Sequence, residues 1–211
     1  MMQFESPSPA KRPRPAESHR PQYLDLIEGI SQAVTTRQRF EIISQLFETI
    51  RYNHQTRIPN IDSNSLYYMV DKGIIRALCL QLGFVLRRRG SVKEEIYDIC
   101  TAISVFYRFC PGLVSSEDSL RRGTDLFFLL PEAFHKGAFL SVMSIWHSIS
   151  STEGGTRTLL QNPNALLGAR DVVKDQLGGN DGVLEALGFL KNVTYFCEEN
   201  RKLVIGQRGL L

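Results

Sequence analysis

The side chains best able to carry chemistry in this 211-residue chain are its four histidines and four cysteines. These residue types supply most proton carriers, thiolate nucleophiles and zinc ligands in proteins. Their spacing here matches neither a metal site nor a catalytic motif. A phosphate-binding glycine loop, a Gly-x-Ser-x-Gly turn and a His-Glu-x-x-His motif are also missing. The sequence therefore predicts a protein that is not an enzyme and that uses no metal and no cofactor.

The cysteines lie within apolar helical patterns, at Cys79, Cys100, Cys110 and Cys197. We expect buried thiols in a reducing compartment. The N-terminus lacks the apolar core of a signal peptide, and no apolar run reaches the roughly 18 residues that a membrane-spanning helix needs. These features predict an intracellular protein of the cytoplasm.

A basic, proline-rich segment precedes the first helical pattern. Lys11, Arg12 and Arg14 fit a nuclear localisation signal, in which an extended chain presents spaced cations to acidic pockets. A working signal would add the nucleus as a location. Residues 1–21 contain too few apolar side chains to offset the entropy of ordering them, so we expect a disordered tail.

Three consecutive arginines, Arg87, Arg88 and Arg89, end a predicted helix just before Gly90. Cations at this position interact favourably with the helix dipole and with the last carbonyls. The cluster is therefore either a helix cap or a basic patch for a phosphate or an acidic partner. The net charge is only +3, and residues 1–20 hold +2 of it, with four cations against two glutamates. The remaining body lacks the positive field that a nucleic-acid-binding protein needs.

Helical periodicity starts at Tyr23 and continues along the chain, with glycine and proline at the breaks. An N-terminal pair of helices is predicted at 22–34 and 37–53. The second helix of the pair carries a stripe predicted to be buried, formed by Phe40, Ile43, Phe47 and Ile50. Three groups of a short, a middle and a long helix follow. They are predicted at 65–71, 74–88 and 93–110, at 116–122, 125–134 and 136–151, and at 156–161, 164–177 and 182–197.

The last long helix carries the clearest pattern, because its apolar residues recur about every three positions and so predict one buried face. These residues are Leu184, Leu187, Leu190, Val193 and Phe196. A polar break, a short apolar turn and a glycine follow within residues 198–209. This order of long helix, tight break, short helix and glycine resembles the junction between two armadillo repeats.

The long helices also superpose on one another. Leu187 and Leu190 correspond to Val142 and Ile145, which lie 45 residues earlier in the chain. These correspond in turn to Ile103 and Phe106, a further 39 residues earlier. Both offsets lie near the roughly 40–47-residue period of armadillo and related repeats. The resemblance to the armadillo-repeat (ARM-type fold) superfamily covers roughly residues 64–211.

The resemblance implies an all-α fold, a right-handed α-solenoid of about three armadillo-like three-helix repeats after the N-terminal helical pair. The chain then divides into a tail at 1–21 and a helical repeat domain at 22–211. The repeat units are expected at about 22–60, 61–112, 113–154 and 155–197, with the start of a further repeat at 198–211. Residues 22–53 are either an N-terminal cap or a degenerate repeat.

The resemblance also implies a functional surface, because stacked armadillo repeats place their third helices side by side along a concave groove. The expected groove residues are Ser104, Arg108, His147, Glu185, Asn192 and Tyr195. Asn192 resembles the asparagine with which nuclear-import armadillo proteins hold the backbone of an extended peptide, since an amide both donates and accepts. At the position four residues earlier, where that family has tryptophan, this chain has Gly188.

Together these patterns predict a scaffold or adaptor that binds a protein or peptide partner, and neither nucleic acid nor a membrane. The alternative is a structural subunit or fragment of a larger complex. It would associate with itself or with another subunit through the apolar edge that an unfinished repeat leaves uncovered near Leu210 and Leu211. The single tryptophan, Trp146, is predicted to lie in the core because isoleucines flank it.

Overall fold

The computed structural model describes residues 20–88, 90, 93–110, 124–160, 164–196 and 201. Over these residues the chain forms ten α-helices and one two-stranded antiparallel ribbon, so the predicted all-α class is confirmed. The helices are α1 (Arg20–Gln32), α2 (Thr36–Thr49), α3 (Ser63–Asp71), α4 (Ile74–Arg87), α5 (Lys93–Phe109), α6 (Thr124–His135), α7 (Phe139–Ile149), α8 (Glu153–Leu160), α9 (Asn164–Asp175) and α10 (Gly179–Phe196). The strands are β1 (Tyr52–Asn53) and β2 (Ile58–Pro59). No helix in the described ranges is long and apolar enough to cross a membrane.

Local side chains and glycines determine several helix boundaries. Thr35 caps α2: its hydroxyl accepts a hydrogen bond from the backbone N–H of Gln38, and the Gln38 side chain accepts one from the backbone N–H of Thr35. Asp62 caps α3 by accepting from the backbone N–H of Ser65. Gly73 has a φ angle of 96°, a left-handed conformation that separates α3 from α4. This break is the one predicted at residues 72–73.

Helix α2 ends earlier than predicted, at Thr49 rather than at residue 53. Arg51 adopts a positive φ of 49°, which turns the backbone out of the helix. The β-ribbon follows, with Tyr52 paired to Pro59 and Asn53 paired to Ile58. Neither glycine nor proline lies at residues 50–53, so the sequence pattern contains no stop signal here.

The helices are arranged in two adjacent rows. One row contains α2, α5, α7 and α10, and the other contains α1, α4, α6 and α9. Successive helices within each row are in contact, and each helix of the first row also packs against the preceding helix of the second. The buried apolar side chains form one cluster that extends from Tyr23 in α1 to Val193 in α10.

Trp146 lies in the core, as predicted, with only 2% of its surface exposed. Its ring stacks on Phe134 with centroids 5.6 Å apart and lies 6.4 Å from the ring of Phe189. A Cβ atom on Gly168 would come within 2.9 Å of the indole, so a glycine at this position of α9 lets the two helices approach. The predicted burial of Cys79, Cys100 and Cys110 is also confirmed, and Cys197 lies outside the described residues.

The buried face of α10 differs from the one predicted. Leu184 is 64% exposed and Leu187 is 49% exposed. Val193 is buried as predicted and Leu190 is partly buried, but the other buried apolar side chains are Ala186 and Phe189. The reason is that α10 carries apolar residues on two faces, and the larger aromatic ring of Phe189 packs onto Trp146. The predicted burial of Leu184 and Leu187 is therefore wrong.

The predicted stripe on α2 is confirmed at three of its four positions. Ile43, Phe47 and Ile50 are buried, whereas Phe40 is 62% exposed. The preceding residue, Arg39, is only 1% exposed. A charged side chain is buried only when it finds a partner, and periodicity cannot show that partner.

The partner of Arg39 is Glu95, in a network that joins α2 to α4 and α5. Nε of Arg39 donates to Oε1 of Glu95 at 3.0 Å, and Nη1 donates to the carbonyl of Val34 at 2.8 Å. Arg88 donates from Nη2 to Oε2 of Glu95 at 2.8 Å and from Nη1 to the hydroxyl of Thr36 at 2.7 Å. One buried carboxylate thus binds two guanidinium groups.

This network includes one of the three arginines that were predicted to form either a helix cap or a basic patch. The guanidinium of Arg88 faces α2 and α5, where it is a structural group rather than a free surface cation. Arg87 is exposed in the last turn of α4, and Arg89 lies outside the described residues. The hydrogen bonds of Arg88 to Glu95 and Thr36 thus hold its guanidinium between α2 and α5, whereas Arg87 is exposed.

Candidate interaction groove

Three neighbouring helices of one row, α5, α7 and α10, bring most of the predicted groove residues together. Between α7 and α10, His147 contacts Glu185, and Ser150 contacts Asn192 further along both helices, so these two helices run parallel. The partners are 38 and 42 residues apart, close to the predicted repeat spacing. The polar side chains of one helix therefore face those of the next.

Hydroxyl side chains occupy the contact between α5 and α7. Oγ1 of Thr101 lies 2.8 Å from Oγ of Ser141, and the hydroxyl of Ser104 donates to the carbonyl of Thr101 at 2.8 Å. These three residues and Ser144 are buried. Small polar residues allow the helices to approach closely, and the hydroxyls of Thr101, Ser141 and Ser104 each have a hydrogen-bond partner. Ser104 is consequently buried, and its hydroxyl bonds within α5.

Asn192 also bonds within the protein. Its Nδ2 donates to Oγ of Ser150 at 3.2 Å and to the carbonyl of His147 at 3.4 Å. Ser150 is fully buried, and its hydroxyl donates in turn to the carbonyl of His147. The amide that resembles a peptide-holding group therefore joins α10 to the C-terminal end of α7.

Glu185 is the electrostatic centre of this face. Its Oε2 lies 2.7 Å from Nδ1 of His147, and its Oε1 lies 3.7 Å from Nη1 of Arg108. Burial disfavours the charged carboxylate, but the hydrogen bond from His147 and the charges of His147, Arg108 and Arg57 favour it more strongly. The pKa of Glu185 is therefore lowered below its usual value, and the carboxylate links three helices and the ribbon electrostatically.

The β-ribbon approaches the same face from the side. Arg57, between the two strands, forms an ion pair with Asp181 in the first turn of α10. Tyr52 and Arg57 also face Tyr97 of α5 and Ser141 of α7 across a small cavity. The ribbon therefore lies beside α5 and α7 and reaches the N-terminal turn of α10. The sequence carries no signal for this contact, since neither strand is longer than two residues.

An open cleft of about 240 Å³ lies near the C-terminal ends of α5 and α7, beside the first half of α10. Arg108, His147 and Glu185 line it together with serines of α7. The side chains of Arg108 and His147 are 46% and 38% exposed, so both can be reached from solvent. Tyr195, at 76% exposure, adds an aromatic surface near the end of α10. A cation, an imidazole, a carboxylate and a phenol are thus available to a ligand.

Not all of the predicted site lies within the described residues. Lys11, Arg12 and Arg14, the predicted nuclear localisation signal, fall outside them, as do Leu210 and Leu211. Across the described part of the chain, no three histidine, cysteine or carboxylate side chains come together as a metal site. No protein-family model, curated protein or solved structure matches this chain.

Proposed function

We propose that this chain is a non-catalytic, armadillo-like scaffold, a right-handed α-solenoid that binds a segment of a protein partner along α5, α7 and α10. The observation that carries the proposal is the cleft in which Arg108, His147 and Glu185 meet from three adjacent helices. Support for the solenoid comes from the two rows of helices, in which each helix contacts the equivalent helix of the next unit.

The chemistry of the cleft suits an extended segment. Such a segment exposes main-chain carbonyls and N–H groups in alternation, and the cleft offers donors on Arg108 and His147 beside the acceptor on Glu185. The exposed ring of Tyr195 can cover an apolar side chain of the same segment. Since Asn192 and Ser104 bond inside the protein, the proposed partner surface consists of Arg108, His147, Glu185 and Tyr195.

The test is quantitative affinity capture from cell lysate with the full chain and with Arg108→Ala/Tyr195→Ala. The matched control is Arg76→Ala/Leu80→Ala, which removes one arginine and one large exposed side chain from α4 in the other row. A protein captured by the wild type is then purified and titrated against all three chains. We expect the groove variant to bind it about tenfold more weakly or worse, because each substitution removes roughly 1 kcal/mol of contact energy.

Equal affinity for the groove variant and the wild type, with circular dichroism unchanged, would remove the groove from the interaction. Loss of binding by the α4 control alone would move the interaction to the opposite row. Either result would replace the proposed site.

A second candidate function is a structural subunit that docks through α10. The observation that favours it is the exposure of Leu184 and Leu187, one turn apart on the same helix. Sedimentation equilibrium of the full chain and of Leu184→Glu/Leu187→Glu tests it. Concentration-dependent association that the charged variant abolishes would support docking through α10, and a monomer at all concentrations would exclude self-association through this face.

A further inference from the structure

A second cleft, between α2 and α5, has a different chemistry from the polar groove. Its cavity volume is about 400 Å³, and Phe40, Ile43 and Ile99 form its apolar surface. Phe40 is 62% exposed, although it belongs to the apolar stripe of α2. The cleft is large enough for one large apolar side chain, for which Phe40 and the two isoleucines provide contact.

The rim of this cleft carries charge that is only partly balanced. Arg39 is paired with Glu95, which also binds Arg88, and Arg37 is paired with Glu41 at 2.8 Å. Both cations that line the cleft are thus paired with a carboxylate, although Glu95 is shared with Arg88 and Nη2 of Arg39 has no hydrogen-bond partner among the described residues.

Two carboxylates of α5 remain at the rim. Glu94 is exposed and Asp98 is half-buried, and within the described residues no lysine, arginine or histidine nitrogen lies within salt-bridge distance of either. Burial and the charge of Glu94 raise the pKa of Asp98, while the nearby His54 lowers it. A cation at this point would relieve the repulsion between the two acids.

We propose that this cleft is a second docking site, which binds a partner segment that carries a large apolar side chain flanked by lysine or arginine. The apolar side chain would pack on Phe40, Ile43 and Ile99, and the flanking cation would pair with Glu94 and Asp98. The charge complementarity selects a basic partner segment over a neutral or acidic one. The inference does not depend on the groove of α5, α7 and α10.

Fluorescence anisotropy with the full chain and a labelled peptide tests the proposal. The probe is a short peptide with one phenylalanine flanked by lysines, and its counterpart has glutamates in place of the lysines. We expect saturable binding of the lysine peptide alone. Glu94→Gln/Asp98→Asn should weaken it about tenfold, since two partly desolvated charge contacts are lost.

The matched control is Glu132→Gln/Asp175→Asn, which removes the same charge from exposed positions on α6 and α9. Retained binding by this control supports a local site. Equal weakening by the control, or no weakening by the cleft variant, would show nonspecific attraction and overturn the proposal. Phe40→Ala provides a second check, because it removes apolar contact without changing charge and should also weaken the peptide.

Two other occupants of the cleft between α2 and α5 would each give a different experimental result. If the variant Lys11→Ser/Arg12→Ser/Arg14→Ser binds the peptide more tightly than the wild type, the chain's own N-terminal segment fills the cleft. If Glu94→Gln/Asp98→Asn dissociates a dimer of the full chain in sedimentation, a second copy fills it. Either result overturns the proposal of a separate basic partner.

Discussion

The imidazole ring of His147 occupies the space in which a side chain at Gly188 would lie. A Cβ atom on Gly188 would be 2.4 Å from Cε1 and 2.5 Å from Nε2 of His147. This contact places Nδ1 of His147 at 2.7 Å from Glu185, one turn earlier on α10. The ring of His147 therefore takes the place of a side chain at this position of α10.

Gly188→Ala should therefore destabilise the protein, by about 1–3 kcal/mol, because the new methyl group must displace the imidazole. Chemical denaturation measures the change. The matched control is Gly154→Ala in α8, where no atom lies within 4 Å of the added Cβ and the change should be within about 1 kcal/mol of zero. In His147→Ala/Gly188→Ala the clash is absent, and the penalty of the second substitution should disappear. A clash with another group would leave the penalty in place.

The lowered pKa of Glu185 predicts a pH dependence of stability. Because the pKa is lower in the folded state, the unfolded state binds the proton more tightly, and this contribution is fully present above the ordinary value of 4.5. It is lost as the pH falls through the folded-state pKa. The free energy of unfolding of the wild type should thus fall more steeply below about pH 4.5 than that of Glu185→Gln. Glu48→Gln, at an exposed site on α2, should keep the wild-type slope.

Removing the buried cation at Arg39 should be among the most damaging changes in the N-terminal half. Arg39→Ala leaves Glu95 in the protein interior with one arginine instead of two, and we expect a loss of about 3–5 kcal/mol in urea denaturation. Arg37→Ala is the control, since that side chain lies on the same helix in a solvent-exposed pair with Glu41 and should have little effect. Similar losses in both variants would contradict the structural role of the buried network.

Truncating a side chain should cost much more stability on one apolar face of α10 than on the other. Phe189→Ala removes a fully buried ring that lies against Trp146 and should cost about 3–5 kcal/mol. Leu187→Ala changes a half-exposed side chain and should cost about 1 kcal/mol or less. Thermal and chemical unfolding of the two variants measure this difference in stability. If Leu187→Ala were the more damaging change, the face of α10 that packs on α7 would be the one that the periodicity predicts.

The sequence was sufficient for the features that depend on neighbouring residues. Helical periodicity predicted the ten described helices, while the helix predicted at 116–122 lies outside the described residues. The break after α3 followed from Gly73, since only glycine readily adopts a φ angle of 96°. The core position of Trp146 followed from the apolar residues around it. The spacing of the long helices also anticipated that residues about 40 positions apart meet, as Thr101 and Ser141 do.

Only the tertiary structure decided which face of each helix is used and which charges meet. Burial of Arg39 depends on Glu95, which is 56 residues away in the chain. The ribbon is joined to α10 by the ion pair between Arg57 and Asp181. Glu185 becomes the centre of a charged cluster because three helices and the ribbon converge on it. Electrostatic and packing energies depend on distances in space, whereas the periodicity of a sequence reports only positions along one helix.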